Sequence, residues 1–150
     1  MVSSLKAAQN ATSIISKLSR RKVSPYEAEV IGDCIDNLKD SVYELRRATT
    51  AIKSLNRAND VEFQVVNHKL SISLNYFKLD SNEYVLNQLS SIKTWLSAGE
   101  TDIMTCTDGL SGGAGWKVRS TVKKEVKKCS VNVIRQTSNA LSLISNLKYK

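Results

Sequence analysis

Between residues 25 and 55 the apolar side chains recur at alternating steps of four and three residues, which predicts a long amphipathic helix. They are Ile31, Ile35, Leu38, Val42, Leu45, Thr49 and Ile52. A second stripe with similar spacing predicts another long helix over about 83–109. It consists of Leu89, Ile92, Leu96, Gly99, Ile103, Cys106 and Leu110. Glycine in a helix interior costs about 1 kcal/mol relative to alanine, so Gly99 is a flaw in this pattern.

Shorter stripes predict two further helices, one over about residues 2–19 and one over about 115–147. Ser24 and Pro25 form a typical helix start, because serine caps the first amides and proline suits the first helical position. Gly109 is expected to end the third helix, and the glycine-rich stretch after it is expected to be a loop. The pattern therefore predicts an all-α protein of four helices, with apolar stripes of the kind that bundle helices need.

Residues 61–82 do not continue this helical pattern. The stretch "KLSISLNYF" alternates between apolar and polar residues and is rich in β-formers, which is typical of a strand. A single strand would have no partner in a helical protein. We therefore expect an irregular insertion between the second and third helices.

Composition fits a single domain of 150 residues, with 41% hydrophobic and 24% charged residues. No apolar run reaches the roughly 18 residues that a membrane span needs. The first 22 residues lack the apolar core of a secretory signal, so we expect no signal peptide in this chain. The net charge of +8 suggests an acidic partner without identifying it.

The three cysteines leave several arrangements open. Cys34 and Cys106 lie on or beside the apolar stripes of the two long helices, so they could form a disulfide or remain two buried thiols. Cys129 lies among lysines, whose positive charges could lower its thiol pKa. On the simplest arithmetic, one pair forms and one thiol stays free.

Catalytic chemistry finds little support. His68 is the only histidine and lies in the least regular segment, which argues against a hydrolase triad. No CxxC or HxxxH spacing occurs, and the glycine-rich loop lacks the lysine of a phosphate-binding loop. We expect no catalytic residue, no metal and no cofactor.

Two charged surfaces and one modification motif remain. On the second helix, Asp33, Asp36, Asp40 and Glu44 follow one another at steps of three and four. They form either a solvated face with local ion pairs to Lys39 and Arg47 or a docking surface for a protein. The basic stretch 117–128 contains no interleaved aromatic residue, so we expect a solvated helix face and no nucleic acid or membrane partner. Asn10 begins an Asn-Ala-Thr glycosylation sequon, which is weak evidence for secretion.

Three stretches together resemble the plant invertase/pectin methylesterase inhibitor family. They are "CIDNLKDSVYELRRA" (34–48), "SSIKTWLSAGETDIMTCTDGL" (90–110) and "SNALSLISNL" (138–147). The resemblance covers most of the chain from about residue 25, apart from the insertion. It implies an up-down four-helix bundle that is preceded by a small helical hairpin, and it implies a disulfide between Cys34 and Cys106.

The resemblance also implies a function without chemistry of its own. The chain is expected to inhibit a pectin methylesterase, binding it one to one and covering the pectin cleft, in the extracellular cell wall. The expected partner contacts are Asp36, Asp40, Glu44, Thr105 and Asp108. Alternatives are the pro-region of a pectin methylesterase, an acid invertase inhibitor and, in another class, a basic helical protein that binds polyanions.

The sequence departs from the family pattern in three places. We expect the N-terminal hairpin with its two cysteines to be missing, "LSAGE" replaces an alanine-rich run, and about 24 residues intervene from Val66 to Leu89. We expect these intervening residues to be translated intron. Sequencing the transcript tests this, because a message that contains codons 66–89 would contradict it.

Overall fold

The computed structural model describes residues 1–57, 61–66, 69–74, 79–111 and 117–146. Four helices and one hairpin follow one another along the chain. They are α1 (Val2–Ser19), α2 (Pro25–Arg57), β1 (Val61–Val66), β2 (Lys69–Leu74), α3 (Leu79–Ser111) and α4 (Ser120–Ser145). The first helix has the predicted bounds. The second runs two residues beyond its predicted end, and the fourth is shorter at both ends.

The four helices pack in a closed ring, in which α1 contacts α2 and α4, and α3 contacts the same two helices. Neighbouring helices run antiparallel. Cys34 on α2 meets Cys106 on α3, whereas Ser41, further along α2, meets Gly99, which comes earlier on α3. The predicted all-α up-down bundle is therefore confirmed.

The core consists of one side-chain cluster to which all four helices contribute. Its largest fully buried members are Ile15, Ile31, Leu38, Leu45, Leu55, Leu89, Ile92, Leu96, Ile103 and Ile144. Burying such a side chain contributes about 1.5–3 kcal/mol relative to leaving it exposed, so this cluster is the main source of stability.

The expected irregular insertion is wrong for residues 61–66 and 69–74, which form two antiparallel strands that pair as a hairpin. Its register runs from Val61 opposite Leu74 to Val66 opposite Lys69. The alternation of "KLSISL" was a correct strand signal, and the neglected partner is "VEFQVV", which directly precedes it. The two strands pair with each other, so the bundle does not need to supply a partner.

The insertion is also shorter than expected. Helix α3 begins at Leu79, and Val85 and Leu89 are buried in the bundle core, with 2% and 1% of their surfaces exposed. Residues that we assigned to the insertion therefore form the first turns of a bundle helix.

The two glycines of α3 have different surroundings. Gly99 lies where α2 and α3 approach closely, and a Cβ at this position would lie 3.4 Å from Leu45 Cγ and from the carbonyl and hydroxyl oxygens of Ser41. Close helix contact thus accounts for this flaw in the helical pattern. Gly109 was expected to end α3, and that prediction is wrong, because the helix continues to Ser111.

The start of α2 is fixed by a capping box, in which two residues satisfy each other's free amides. The backbone N–H of Glu27 donates to Ser24 Oγ at 3.2 Å, and the backbone N–H of Ser24 donates to Glu27 Oε2 at 3.1 Å. The predicted helix start is thereby confirmed. Of the helices that the structure describes, none is long and apolar enough to cross a membrane.

Candidate functional site

A single disulfide joins the two long helices at one end of the bundle. It links Cys34 to Cys106, whose Cα atoms are 4.6 Å apart, and both residues are buried. This is the pair that the family resemblance implied. The bridge holds α2 against α3, so it fixes the relative position of the polar side chains that these helices carry on their outer sides.

Beside the disulfide, α2 and α3 enclose a groove of about 630 Å³, which we call the disulfide groove. Asp33 and Asp36 line it from α2, and Thr105 lines it from α3. Asp36 and Thr105 were both predicted as partner contacts, and the structure brings them to the same groove. The Thr105 hydroxyl donates to the Thr101 carbonyl at 3.0 Å, so its oxygen keeps lone pairs that can accept a partner's hydrogen bond.

The acidic row, defined as Asp33, Asp36, Asp40 and Glu44, begins in this groove and continues along α2 beyond it. Asp36 pairs with Lys39 at 2.8 Å, and Glu44 pairs with Arg47 at 3.4 Å. Both local ion pairs were foreseen, and exposed pairs of this kind contribute at most about 1 kcal/mol each. They are weak enough to rearrange when a partner binds.

Asp108, the remaining predicted contact, lies on the exposed side of α3, one turn beyond Thr105. The structure places Thr105 in the disulfide groove with Asp36, and Asp108 is displaced from them around the helix. Asp40 and Glu44 lie further along α2. The predicted contacts other than Asp108 therefore lie along the α2–α3 face, in what we call the polar strip, and Asp108 lies beside it.

Asp102 belongs to this strip, and sequence reasoning missed it. Partial burial raises the pKa of Asp102, and the carboxylates of Asp40 and Glu44 raise it further. The available signal was its position one helical turn before Cys106, on the same side of α3. The α2–α3 face therefore carries more negative charge than the acidic row alone.

We expect Asp102→Asn to stabilise the protein slightly at neutral pH, raising Tm by about 1–3 °C. A carboxyl whose folded pKa is raised lowers stability at pH values above that pKa, and the penalty disappears as pH falls below the unfolded value. The gain should therefore be present at neutral pH and vanish in acid, which thermal unfolding across pH checks. A gain that persists in acid would contradict this explanation.

An arginine and two aromatic rings lie on the same face, further from the disulfide. The Arg47 guanidinium carbon lies 4.4 Å from the centre of the Trp95 ring and 5.6 Å from that of Tyr43. Trp, Tyr and Arg are the residues enriched at binding hot spots. The sequence signal was the "TWLSA" motif, which supported the family resemblance without a role being assigned to Trp95.

Cys129 and Asn10 lie elsewhere, along the seam between α1 and α4. Cys129 is a half-buried free cysteine. The expectation that neighbouring lysines lower its pKa is wrong: burial raises the pKa of this thiol, Glu125 adds to the rise, and only Lys128 opposes it. Asn10 is exposed on α1, and its glycosylation stays a prediction.

A charged, partly aromatic face on two helices is typical of proteins that bind another protein through that face. Comparison with known sequences supports this class. The sequence model of the plant invertase/pectin methylesterase inhibitor family matches residues 1–143. The chain belongs to this family, and the match includes α1, which lay outside the stretches that suggested the resemblance.

Individual relatives agree with the family assignment. The chain is 29% identical over 149 residues to the "21 kDa protein" of Daucus carota, covering 98% of this chain and 64% of that protein. It is 31% identical to pectinesterase inhibitor 9 of Arabidopsis thaliana, over 100% of this chain and 63% of the relative. It is 28% identical to pectinesterase inhibitor 10 of the same plant, over 94% of this chain and 37% of that relative. The chain thus spans less than two thirds of the length of each of these relatives. No solved structure matches the chain.

Proposed function

We propose that this chain inhibits a pectin methylesterase by binding it one to one and occluding its pectin-binding cleft. Family membership carries this proposal, together with relatives that are named pectinesterase inhibitors. The polar strip on α2 and α3 supports it, because this strip offers a partner carboxylates, a hydroxyl and an aromatic cluster. The inhibitor performs no chemistry and acts by excluding the substrate. Its site of action would be the extracellular cell wall.

The disulfide groove supplies the concave part of the proposed contact surface. Glu29, Asp33 and Asp36 line its α2 side, so a cationic side chain of the enzyme would find three carboxylates there. Interfacial charges of this kind accelerate association and fix the register of a complex. Binding should therefore weaken as salt is added.

The test is a titration of a purified plant pectin methylesterase with the oxidised chain, followed by methanol release from pectin. Loss of activity with a sharp endpoint at one inhibitor per enzyme supports the proposal. A folded chain that leaves the enzyme fully active refutes it. Parallel titration of an acid invertase tests the other enzyme named in the family description.

The acidic row provides a sharper prediction. The double variant Asp36→Asn with Asp40→Asn should weaken inhibition about tenfold or more, because each change removes a charge while keeping the side-chain shape. The inhibition constant at low and high salt measures this effect, and the variant should also lose part of the salt dependence.

Glu83→Gln is the matched control, because Glu83 is exposed near the beginning of α3, far along that helix from the disulfide. It should inhibit like the wild-type chain. If the double variant and the control inhibit equally well, the acidic row is not part of the contact surface, even if inhibition itself is observed.

A further inference from the structure

Helix α4 carries unpaired positive charge where helix physics disfavours it. Its first turn contains no acidic residue, and Lys123 and Lys124 follow within five residues of its start. Cations near a helix N-terminus oppose the helix dipole. Lys127 and Lys128 repeat the same charges one turn later, and like charges four residues apart repel each other.

Arg119 does not add to this charge, because Glu27 neutralises it. Its Nε donates to Glu27 Oε1 at 2.8 Å, and its backbone N–H donates to the same oxygen at 2.8 Å. Six other cations, from the connection between α1 and α2 and from the first half of α4, form what we call the basic surface. It consists of Arg21, Lys22, Lys123, Lys124, Lys127 and Lys128.

Four members of the basic surface line a groove between α1 and α4, and the other two, Lys123 and Lys127, lie on α4 outside its lining. One part, of about 280 Å³, is lined by Arg21, Lys22 and Lys124, and a second part, of about 370 Å³, is lined by Lys128. Glu125 lines both parts, so they are adjacent along the same seam. A groove with cations along its length suits an extended, flexible polyanion.

We propose that the basic surface binds de-esterified pectin, a linear chain with a carboxylate on each uronic acid unit. The choice of this polyanion rests on the proposed function, since the partner's reaction turns neutral methyl esters into carboxylates. Among the residues that the structure describes, no aromatic side chain lines either part of the groove, so base stacking of a nucleic acid finds no support there. Helices α2 and α4 occupy diagonal corners of the bundle, so this surface is separate from the α2–α3 face.

Calorimetric titration with polygalacturonate tests the inference, with fully methylesterified pectin and duplex DNA as comparisons. We expect polygalacturonate to bind and added salt to weaken the binding, because bound cations release counterions from a polyanion. Lys124→Gln with Lys128→Gln should weaken binding about tenfold or more. Glu125→Gln should strengthen it, because this change removes the carboxylate that lies in the groove.

Arg46→Gln with Lys53→Gln is the matched control, since it removes two exposed cations from α2. It should bind polygalacturonate like the wild-type chain. Three results would each overturn the inference. The first is that methylesterified pectin binds as tightly as polygalacturonate, and the second is that DNA binds more tightly than polygalacturonate. The third is that the lysine variant and the control lose affinity for polygalacturonate equally.

Complex formation with pectin methylesterase, measured in the absence of pectin, separates this inference from the proposed function. The lysine variant should bind the enzyme normally. A wild-type chain that binds the enzyme but not polygalacturonate refutes only the inference. One that binds polygalacturonate but not the enzyme refutes only the proposed function.

Discussion

Removal of the disulfide, by Cys34→Ala with Cys106→Ala, is expected to lower the free energy of unfolding by about 4 kcal/mol. The bridge closes a loop of 72 residues, and its loss gives the unfolded chain back the freedom that this closure removes. For a domain of this size the same change lowers Tm by roughly 10 °C. Denaturant unfolding of both proteins, monitored by circular dichroism, measures the difference.

Cys129→Ala is the control for the loss of a thiol elsewhere in the bundle. Cys129 is free and half-buried, so this change should cost much less than loss of the bridge. Reduction of the wild-type chain should reproduce the effect of the double variant. If the oxidised wild type and the double variant unfold at the same denaturant concentration, the bridge does not stabilise the fold.

Glu27→Gln is the second change with a large expected effect, a fall in Tm of about 5 °C or more. Glu27 is 2% exposed, caps α2 with Ser24 and receives two hydrogen bonds from the Arg119 side chain. A neutral amide keeps the shape of the carboxylate but leaves the guanidinium without its counter-charge. Thermal unfolding at neutral pH gives the size of the loss.

The pH dependence of this effect has a defined sign. Hydrogen bonds from the Arg119 side chain, and then from its backbone amide, lower the pKa of Glu27 from 4.5 to about 2. A carboxyl with a lowered folded pKa stabilises the fold above its unfolded pKa, and this contribution is lost as pH falls from about 4.5 to about 2. The wild-type chain should therefore lose more stability than Glu27→Gln across this range.

Glu29→Gln serves as the control, because Glu29 lies two residues further along the same helix and is exposed. It should change Tm little at neutral pH. Identical Tm values and identical acid profiles for Glu27→Gln and Glu29→Gln would contradict the role assigned to the buried carboxylate.

The helices could be predicted because local pattern determines them, whereas the up-down arrangement was implied by the family resemblance. Between Ile31 and Ile52 the apolar side chains recur at alternating steps of four and three residues, which defines a helix face without knowledge of any other element. The start of α2 was equally local, because Ser24 and Pro25 act within one turn. The hairpin was missed because pairing depends on two segments at once, and only "KLSISL" was recognised as a strand.

In the candidate site, too, features within one helix could be predicted from the sequence, and contacts between helices could not. The residues of the acidic row could be chosen from the sequence because their spacing on α2 is visible there. Asp102 and the contact of Arg47 with Trp95 depend on how α2 and α3 meet, which no local pattern encodes. The Glu27–Arg119 pair spans 92 residues and was missed for the same reason.

This long span has a consequence for the order of folding. In the reduced chain, a loop of 92 residues must close before Glu27 meets Arg119. Once Cys34 and Cys106 are joined, the path is only the seven residues from Glu27 to Cys34 and the thirteen from Cys106 to Arg119. Because closure probability falls with the three-halves power of loop length, the bridge makes this encounter about tenfold more frequent. Oxidation thus prepares the chain to join the amino-terminal ends of α2 and α4, and an oxidised chain should refold faster than a reduced one.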